Sequence, residues 1–232
     1  MDTNRLRNIP ALSKMRKIFY LGIIFLYAIL SCQKESQQDT LGTSLAQKIT
    51  FKDKPKADLK KMRLKAREAL RFCENKNLNA DFCILIDMSI HSGLKRFFVW
   101  DFKKDSVASA YLVGHGCGNN RWSGDESKDK PQFSNEDGSH LSSLGKYKLE
   151  GRGYSNWGIN VKYLMHGLEN TNNNALKRVI VFHSWEMMSD EETFPKGSPE
   201  GWGCPTISNN AMKEIDPILQ RSKTPVLMWI YD

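Results

Sequence analysis

Two rhythms of apolar and polar residues run along this chain. Between Asp58 and Cys73 the apolar positions Leu59, Met62, Ala66, Ala69, Leu70 and Cys73 recur mostly at three- or four-residue steps, with lysines and arginines between them. That spacing gathers them on one helix face. Asp58 is placed to cap the first turn. The pattern predicts an N-terminal helix within residues 57–79, packing on whatever follows. From Phe82 onward the rhythm becomes that of strands. Cys83–Ile90, Arg96–Phe102 and Val107–Val113 are short runs rich in β-branched and aromatic residues. Their closeness predicts an antiparallel meander. Asn119–Ser143 is a long polar loop, of a length that is usually functional or disordered. Strand character returns at Lys146–Leu149 and at Val179–Phe182, the latter entered from the turn Asn172-Asn173-Asn174. Gly151–Gly167 is aromatic and glycine-rich and reads as a groove lining. A helix is expected over Ile207–Leu219 and a closing strand over Pro225–Tyr231. The fold class predicted is mainly β with peripheral helices.

The first 56 residues follow neither rhythm. Residues 1–31 carry Arg5, Arg7, Lys14, Arg16 and Lys17 against one acid, Asp2, so +4 of the chain's net +8 lies there. The apolar run Ile18–Leu30 is 13 residues long, short for a membrane span and suited to a signal-peptide core. It ends at Ser31-Cys32, which resembles a bacterial lipoprotein cleavage box. The expectation is a signal peptide over 1–31, lipidation of Cys32 and a polar tether over 32–56. The chain would then sit in the cell envelope, tethered to a membrane and facing the periplasm or exterior. The remaining charge is mild, and no basic stripe interleaved with aromatics points to nucleic acid.

The chemistry concentrates between Arg178 and Ser208. Val179-Ile180-Val181-Phe182 delivers His183, and the chain returns at Gly201-Trp202-Gly203-Cys204-Pro205. A histidine at a strand end and a glycine-flanked cysteine are the parts of a Cys–His nucleophile pair. The glycines let backbone N–H groups approach a developing oxyanion.

This stretch resembles the L,D-transpeptidase (YkuD-type) signature, a His, a spacer, and then Ser/Thr-His-Gly-Cys. Here His183 is followed by 17 residues and then Gly201-Trp202-Gly203-Cys204. Gly201 stands where the family has Ser/Thr, and Trp202 where it has His. The Trp-Gly-Cys-Pro form looks closer to the branch called the murein L,D-transpeptidase catalytic domain. Gly114-His115-Gly116, Phe133-Ser134-Asn135 and Ser142–Tyr147 resemble further strings of that branch, so the resemblance covers residues 80–232. It implies an L,D-transpeptidase-like β-sandwich or open barrel over those residues. It implies Cys204 as nucleophile, His183 as base, the Ser184 carbonyl orienting the imidazole, and Gly203 with Cys204 as oxyanion donors. His115, Trp202 and Tyr147 would touch substrate. The reaction implied is peptidoglycan L,D-transpeptidation. A Cys thioester forms with a stem peptide and passes to an amine, or to water as in a carboxypeptidase, with no cofactor and no metal.

Other readings stand beside this one. The chain could be a peptidoglycan-binding lipoprotein without turnover. His115, Cys117, His183 and Cys204 could form a zinc site. A sortase-like barrel would use Arg221. Cys73 and Cys83 could bridge, or could stay thiols together with Cys117.

Overall fold

The strands with the most continuous apolar sequence occupy the middle of the sheet. The computed structural model describes residues 54–232, so segment 1–31, Cys32 and most of the 32–56 tether lie outside the described residues. Helix α1 is Leu59–Lys76. The strands are β1 (Phe82–Asp87), β2 (Phe97–Asp101), β3 (Ser106–Tyr111), β4 (Gly145–Tyr154), β5 (Val161–Gly167), β6 (Val181–Ser184), β7 (Thr206–Ile207) and β8 (Val226–Tyr231), with helix α2 (Asn209–Arg221) between the last two. They form one sheet in the order β3-β2-β1-β8-β4-β5-β6-β7. The β1–β8 and β6–β7 pairs are parallel, and the others are antiparallel.

Both faces of the central strands are covered. Ile84 and Ile86 of β1 and Val226, Met228 and Ile230 of β8 pack with Met212, Ile215 and Leu219 of α2. The alternate residues Cys83, Leu85, Leu227, Trp229 and Tyr231 pack with Met62, Ala66, Ala69 and Cys73 of α1. Burial on both sides is why these strands read as unbroken apolar runs. Each large apolar side chain so buried contributes about 1.5–3 kcal/mol over an exposed one.

The sheet curls until its edges meet. Phe97 of β2 stacks on Phe182 of β6 at a ring separation of 5.6 Å, although four strands lie between them in the sheet order. Just beyond β3, the Gly114 N–H donates to the Thr206 carbonyl of β7 at 2.8 Å, and Gly116 bridges Gly201. The mainly β open-barrel form is therefore what this sequence adopts, as a single sheet nearly closed on itself.

Local chemistry sets the element ends. The Asp58 carboxylate accepts from the Lys60 and Lys61 N–H groups, and Asn77 ends α1 in the left-handed conformation. Leu59 is exposed, so the buried face of α1 is narrower than the periodicity suggests. β1 stops at Asp87, three residues short of the expected Ile90, because the Asp87 carboxylate turns back to accept from the Ser89 N–H at 3.1 Å. Residues 151–167 supply part of a groove lining through Trp157. They are largely the β4–β5 hairpin, with a register shift between Glu150 and Gly153. α2 starts two residues after the expected Ile207, since Thr206 and Ile207 pair with β6 and the Ser208 hydroxyl caps Ala211. Cys73, Cys83, Cys117 and Cys204 are all free thiols. Among the described residues no helix is long and apolar enough to cross a membrane.

Candidate active site

β6 alternates like any strand, and that alternation separates its two functional neighbours. Phe182 enters the core, while His183 faces the opposite way, between Lys162 of β5 and Thr206 of β7. Its Nδ1 lies 2.9 Å from the Ser184 carbonyl. A carbonyl only accepts, so Nδ1 carries the proton and Nε2 keeps its lone pair. Ser184 is itself fixed: its hydroxyl accepts from the Ile159 N–H at 3.0 Å. Burial lowers the His183 pKa, against an upward pull from the Ser184 carbonyl and Glu186.

The cysteine arrives on a loop pinned from both sides. The Gly201 N–H donates to the His115 carbonyl, and the Cys117 N–H to the Gly201 carbonyl, both at 2.8 Å. The Ser142 hydroxyl donates to the Gly203 carbonyl at 3.0 Å and accepts from the Gly116 N–H at 3.1 Å. Gly203 has φ +99°, and a Cβ there would lie 2.6 Å from the Leu141 carbonyl oxygen. Only glycine fits. Gly201 is different: a Cβ there meets no atom within 4 Å.

Cys204 is half-buried, and its Sγ accepts from the Val181 N–H at 3.4 Å and lies 3.9 Å from the Val179 carbonyl oxygen. Val179 holds φ +56°, an outlier for a β-branched residue, at the point where its carbonyl meets the thiol. Burial pushes the Cys204 thiol up, although the Val181 N–H, Arg178 and Lys162 pull it down. Burial thus favours the neutral form of both groups. They share a cavity of about 120 Å³ whose walls also include Trp122, Trp157, Trp185, Trp202 and Thr206.

Two of the three residues expected to touch substrate do not reach this cavity. His115 is fully buried. Its Nδ1 is 2.8 Å from Arg96 Nη2, and its Nε2 is 2.8 Å from the Ser127 hydroxyl. Arginine only donates, so Nδ1 accepts and Nε2 carries the proton; both nitrogens are spent. Its pKa is held low by burial and by Arg96. Ser127 passes the chain of hydrogen bonds to the buried Glu200 carboxylate at 2.9 Å, so His115 ties the sheet interior to the residue before Gly201. Tyr147 is also buried, donating its hydroxyl to the Ser143 carbonyl at 2.8 Å. An aromatic in a strand of alternating burial is a core residue unless the far side is open. Trp202 does line the cavity and stacks on His140 at 5.2 Å.

The zinc tetrahedron is not assembled: among the described residues no group of three or more His, Cys, Asp or Glu is placed to hold a metal. Arg221 lies in the last turn of α2 and is not part of the cavity wall. Arg178 was not singled out by the sequence. It donates to the Ser134 carbonyl at 2.9 Å, the Ser143 hydroxyl at 2.6 Å and the Leu141 carbonyl at 2.6 Å, and so clamps the polar loop beside Cys204. Its position at the head of the Val179–Phe182 run was the available signal. Trp157 lies in the Gly151–Gly167 segment expected to line a groove, whereas Trp122 and Trp185 were missed because they come from separate segments that only the fold brings together.

Comparison with known proteins gives a family. The model of the L,D-transpeptidase catalytic domain family matches residues 53–231. Among solved structures, the helical cell shape determining protein Pgp2 from Campylobacter jejuni is similar at 13% identity and TM-score 0.41, over 65% of this chain and 47% of that one. Bd1075 from Bdellovibrio bacteriovorus is similar at 17% identity and TM-score 0.36, over 64% and 48%. The L,D-transpeptidase (residues 123–326) from Xylanimonas cellulosilytica is similar at 10% identity and TM-score 0.33, over 69% and 68%. The chain aligns with about half the length of the first two. No curated protein sequence matches it. With a match that spans most of its length, and with His183 and Cys204 brought to one cavity, this chain belongs to the L,D-transpeptidase catalytic domain family.

Proposed function

We propose that this protein is a peptidoglycan L,D-transpeptidase whose nucleophile is Cys204 and whose base is His183. The observation that carries the reading is the free Nε2 of His183 opening onto the same cavity as the Cys204 thiol. The substrate is a stem peptide with an L-centre to D-residue bond. As Cys204 Sγ attacks the carbonyl carbon of that bond, His183 Nε2 takes the thiol proton. Burial raises the thiol and lowers the imidazole, which favours a transfer that accompanies the attack.

Negative charge on the substrate oxygen is met by the N–H groups of Gly203 and Cys204. Among the described residues neither makes a hydrogen bond within the fold. Loss of one such donor costs on the order of 3 kcal/mol in transition-state stabilisation. Collapse breaks the C–N bond. The departing amine takes the proton from Nε2, and a thioester to Cys204 remains. The amine of a neighbouring stem attacks the thioester and gives a proton to Nε2, the sulfur leaves and recovers a proton, and an amide cross-link forms. Water in place of that amine gives a carboxylate and a trimmed stem. The envelope location, the lipid on Cys32 and membrane tethering belong to the same proposal, supported by the basic, apolar and Ser31-Cys32 order of the N-terminus.

One observation favours a second reading, a wall-binding protein without turnover: among the described residues the polar contacts of the Cys204 Sγ are with Val179 and Val181, and none is with His183. Incubating the protein with muropeptides and following both by mass separates the two. The proposal expects a transient acyl-enzyme on Cys204 with trimmed or cross-linked product. Muropeptide binding that survives Cys204→Ser, with no adduct or product in the wild type, sinks it.

A further inference from the structure

Four indoles gather around the Cys204–His183 cavity, from four segments of the chain. Trp185, at the end of β6, is buried and forms the hub. Trp122 packs on it at 5.2 Å and Trp157 at 6.3 Å, while Trp202 lies 6.4 Å from Trp122. Their planes are inclined by 38° to 76°, so they form a concave wall and not a closed stack. Trp122, Trp157 and Trp202 remain 40%, 45% and 61% exposed. Large apolar rings left facing water together mark a place that a ligand covers.

The surface beside this wall has the opposite character. The segment that carries Trp122 begins with Cys117, Gly118, Asn119 and Asn120, and these line a separate cavity of about 450 Å³. Facing them are Gln132, Ser134 and Ser139. Amides and hydroxyls dominate, with Lys130 and Glu136 as the charged members. His140 follows Ser139 directly and carries the stacked Trp202, and the Gly118 N–H is joined to the His140 carbonyl at 3.2 Å. Trp202 therefore stands near both surfaces. A bulky apolar peptide side chain would satisfy the indoles and leave the amide cavity unmatched. A charged peptide would do the reverse. A molecule with flat C–H faces and a rim of hydroxyl and acetamido groups matches both.

We propose that the Trp122–Trp157–Trp202 wall and the adjoining amide cavity bind an N-acetylated amino-sugar unit of the glycan, next to the stem peptide being processed. This rests on the reading of the protein as a peptidoglycan transpeptidase and extends it: the preferred substrate is the glycan-linked stem, not the free peptide. The indole faces stack on the sugar ring. Asn119, Asn120 and Gln132 supply donors and acceptors for its polar edge.

The test uses the β-1,4-linked N-acetylglucosamine trimer and the Cys204→Ser protein, which cannot turn over. Indole N–H signals of Trp122, Trp157 and Trp202 should shift saturably on titration. Trp122→Ala and Trp157→Ala should each weaken binding by about tenfold or more. Trp157→Phe, which keeps a ring face, should retain binding, and so should Leu64→Ala on the exposed side of α1. In the wild type, kcat/KM for a disaccharide-linked stem should exceed that for the same free stem, and Trp157→Ala should narrow that ratio. Absence of any indole shift, or equal affinity in folded Trp122→Ala and Trp157→Ala, overturns the sugar site even if free stems are turned over. Sugar binding without turnover of any stem would instead remove the transpeptidase reading, and with it the claim of a glycan-linked substrate.

Discussion

His183 and His115 make an instructive pair. Both are buried, both have their pKa lowered by burial, and both lie within the same corner of the sheet. In the sequence both stand near glycines or a strand end. The difference is the second nitrogen. His183 spends Nδ1 on the Ser184 carbonyl and keeps Nε2 open to the cavity. His115 spends both nitrogens, on Arg96 and Ser127, inside a chain that ends at Glu200. Burial and a shifted pKa therefore do not by themselves distinguish the two. The proposed base differs in having a ring nitrogen without a hydrogen-bond partner among the described residues, on the wall of the cavity that Cys204 lines.

The largest effects should separate the two histidines. His183→Ala should lower the rate of Cys204 acylation by about 10²–10⁴-fold with the fold retained, as read by intact mass and circular dichroism. His115→Ala should act on stability. It leaves a buried arginine and a buried hydroxyl short of partners, and should cost roughly 2–4 kcal/mol in denaturant unfolding. If His115→Ala instead abolishes acylation with stability unchanged, the comparison fails.

A smaller effect contrasts the two glycines of the Cys204 loop. Gly203→Ala places a Cβ against the Leu141 carbonyl at a left-handed φ and should destabilise by about 1–3 kcal/mol. Gly201→Ser meets open space and should stay within about 0.5 kcal/mol. Equal melting temperatures for the two variants would contradict the loop geometry.

The smallest effect is in pH. Both histidines are depressed below the ordinary 6.5 in the folded state. The unfolded chain therefore takes up protons first, and stability is lost as pH falls from about 6.5 through the folded values. Thermal melts should show that loss, and His115→Asn should flatten it. A slope unchanged by the substitution would place the titration elsewhere.

Much of this was legible in the sequence, for physical reasons that differ by element. β1 and β8 were visible because burial on both faces demands unbroken apolar runs. α1 was visible because one face is buried and its cap is a local residue, Asp58. Cys204 and His183, which line one cavity, stood out because glycines flank the cysteine and a β-branched run delivers the histidine. What was hidden depends on contacts distant in sequence. His115 looked like a site residue because Arg96, Ser127 and Glu200 converge on it only in the folded sheet. Tyr147 was hidden by the same cause, since nothing local says that Ser143 and Asn172 meet its hydroxyl. Arg178 and the tryptophan wall need the closure of β3 onto β7 before they have a role.

The claim on which the rest depends is that His183 Nε2 takes the proton of a neutral Cys204 thiol. The most direct measurement is the rate of Cys204 acylation by a carbapenem across pH, followed by intact mass in wild type and His183→Ala. The predicted result is one adduct per chain on Cys204, with a rate that holds through neutral pH and falls only below about 6.5 as the lowered imidazole is protonated. His183→Ala should lose that plateau and climb only with alkali, following the raised thiol. No adduct on folded wild-type protein, or a pH profile that His183→Ala leaves unchanged, would contradict it.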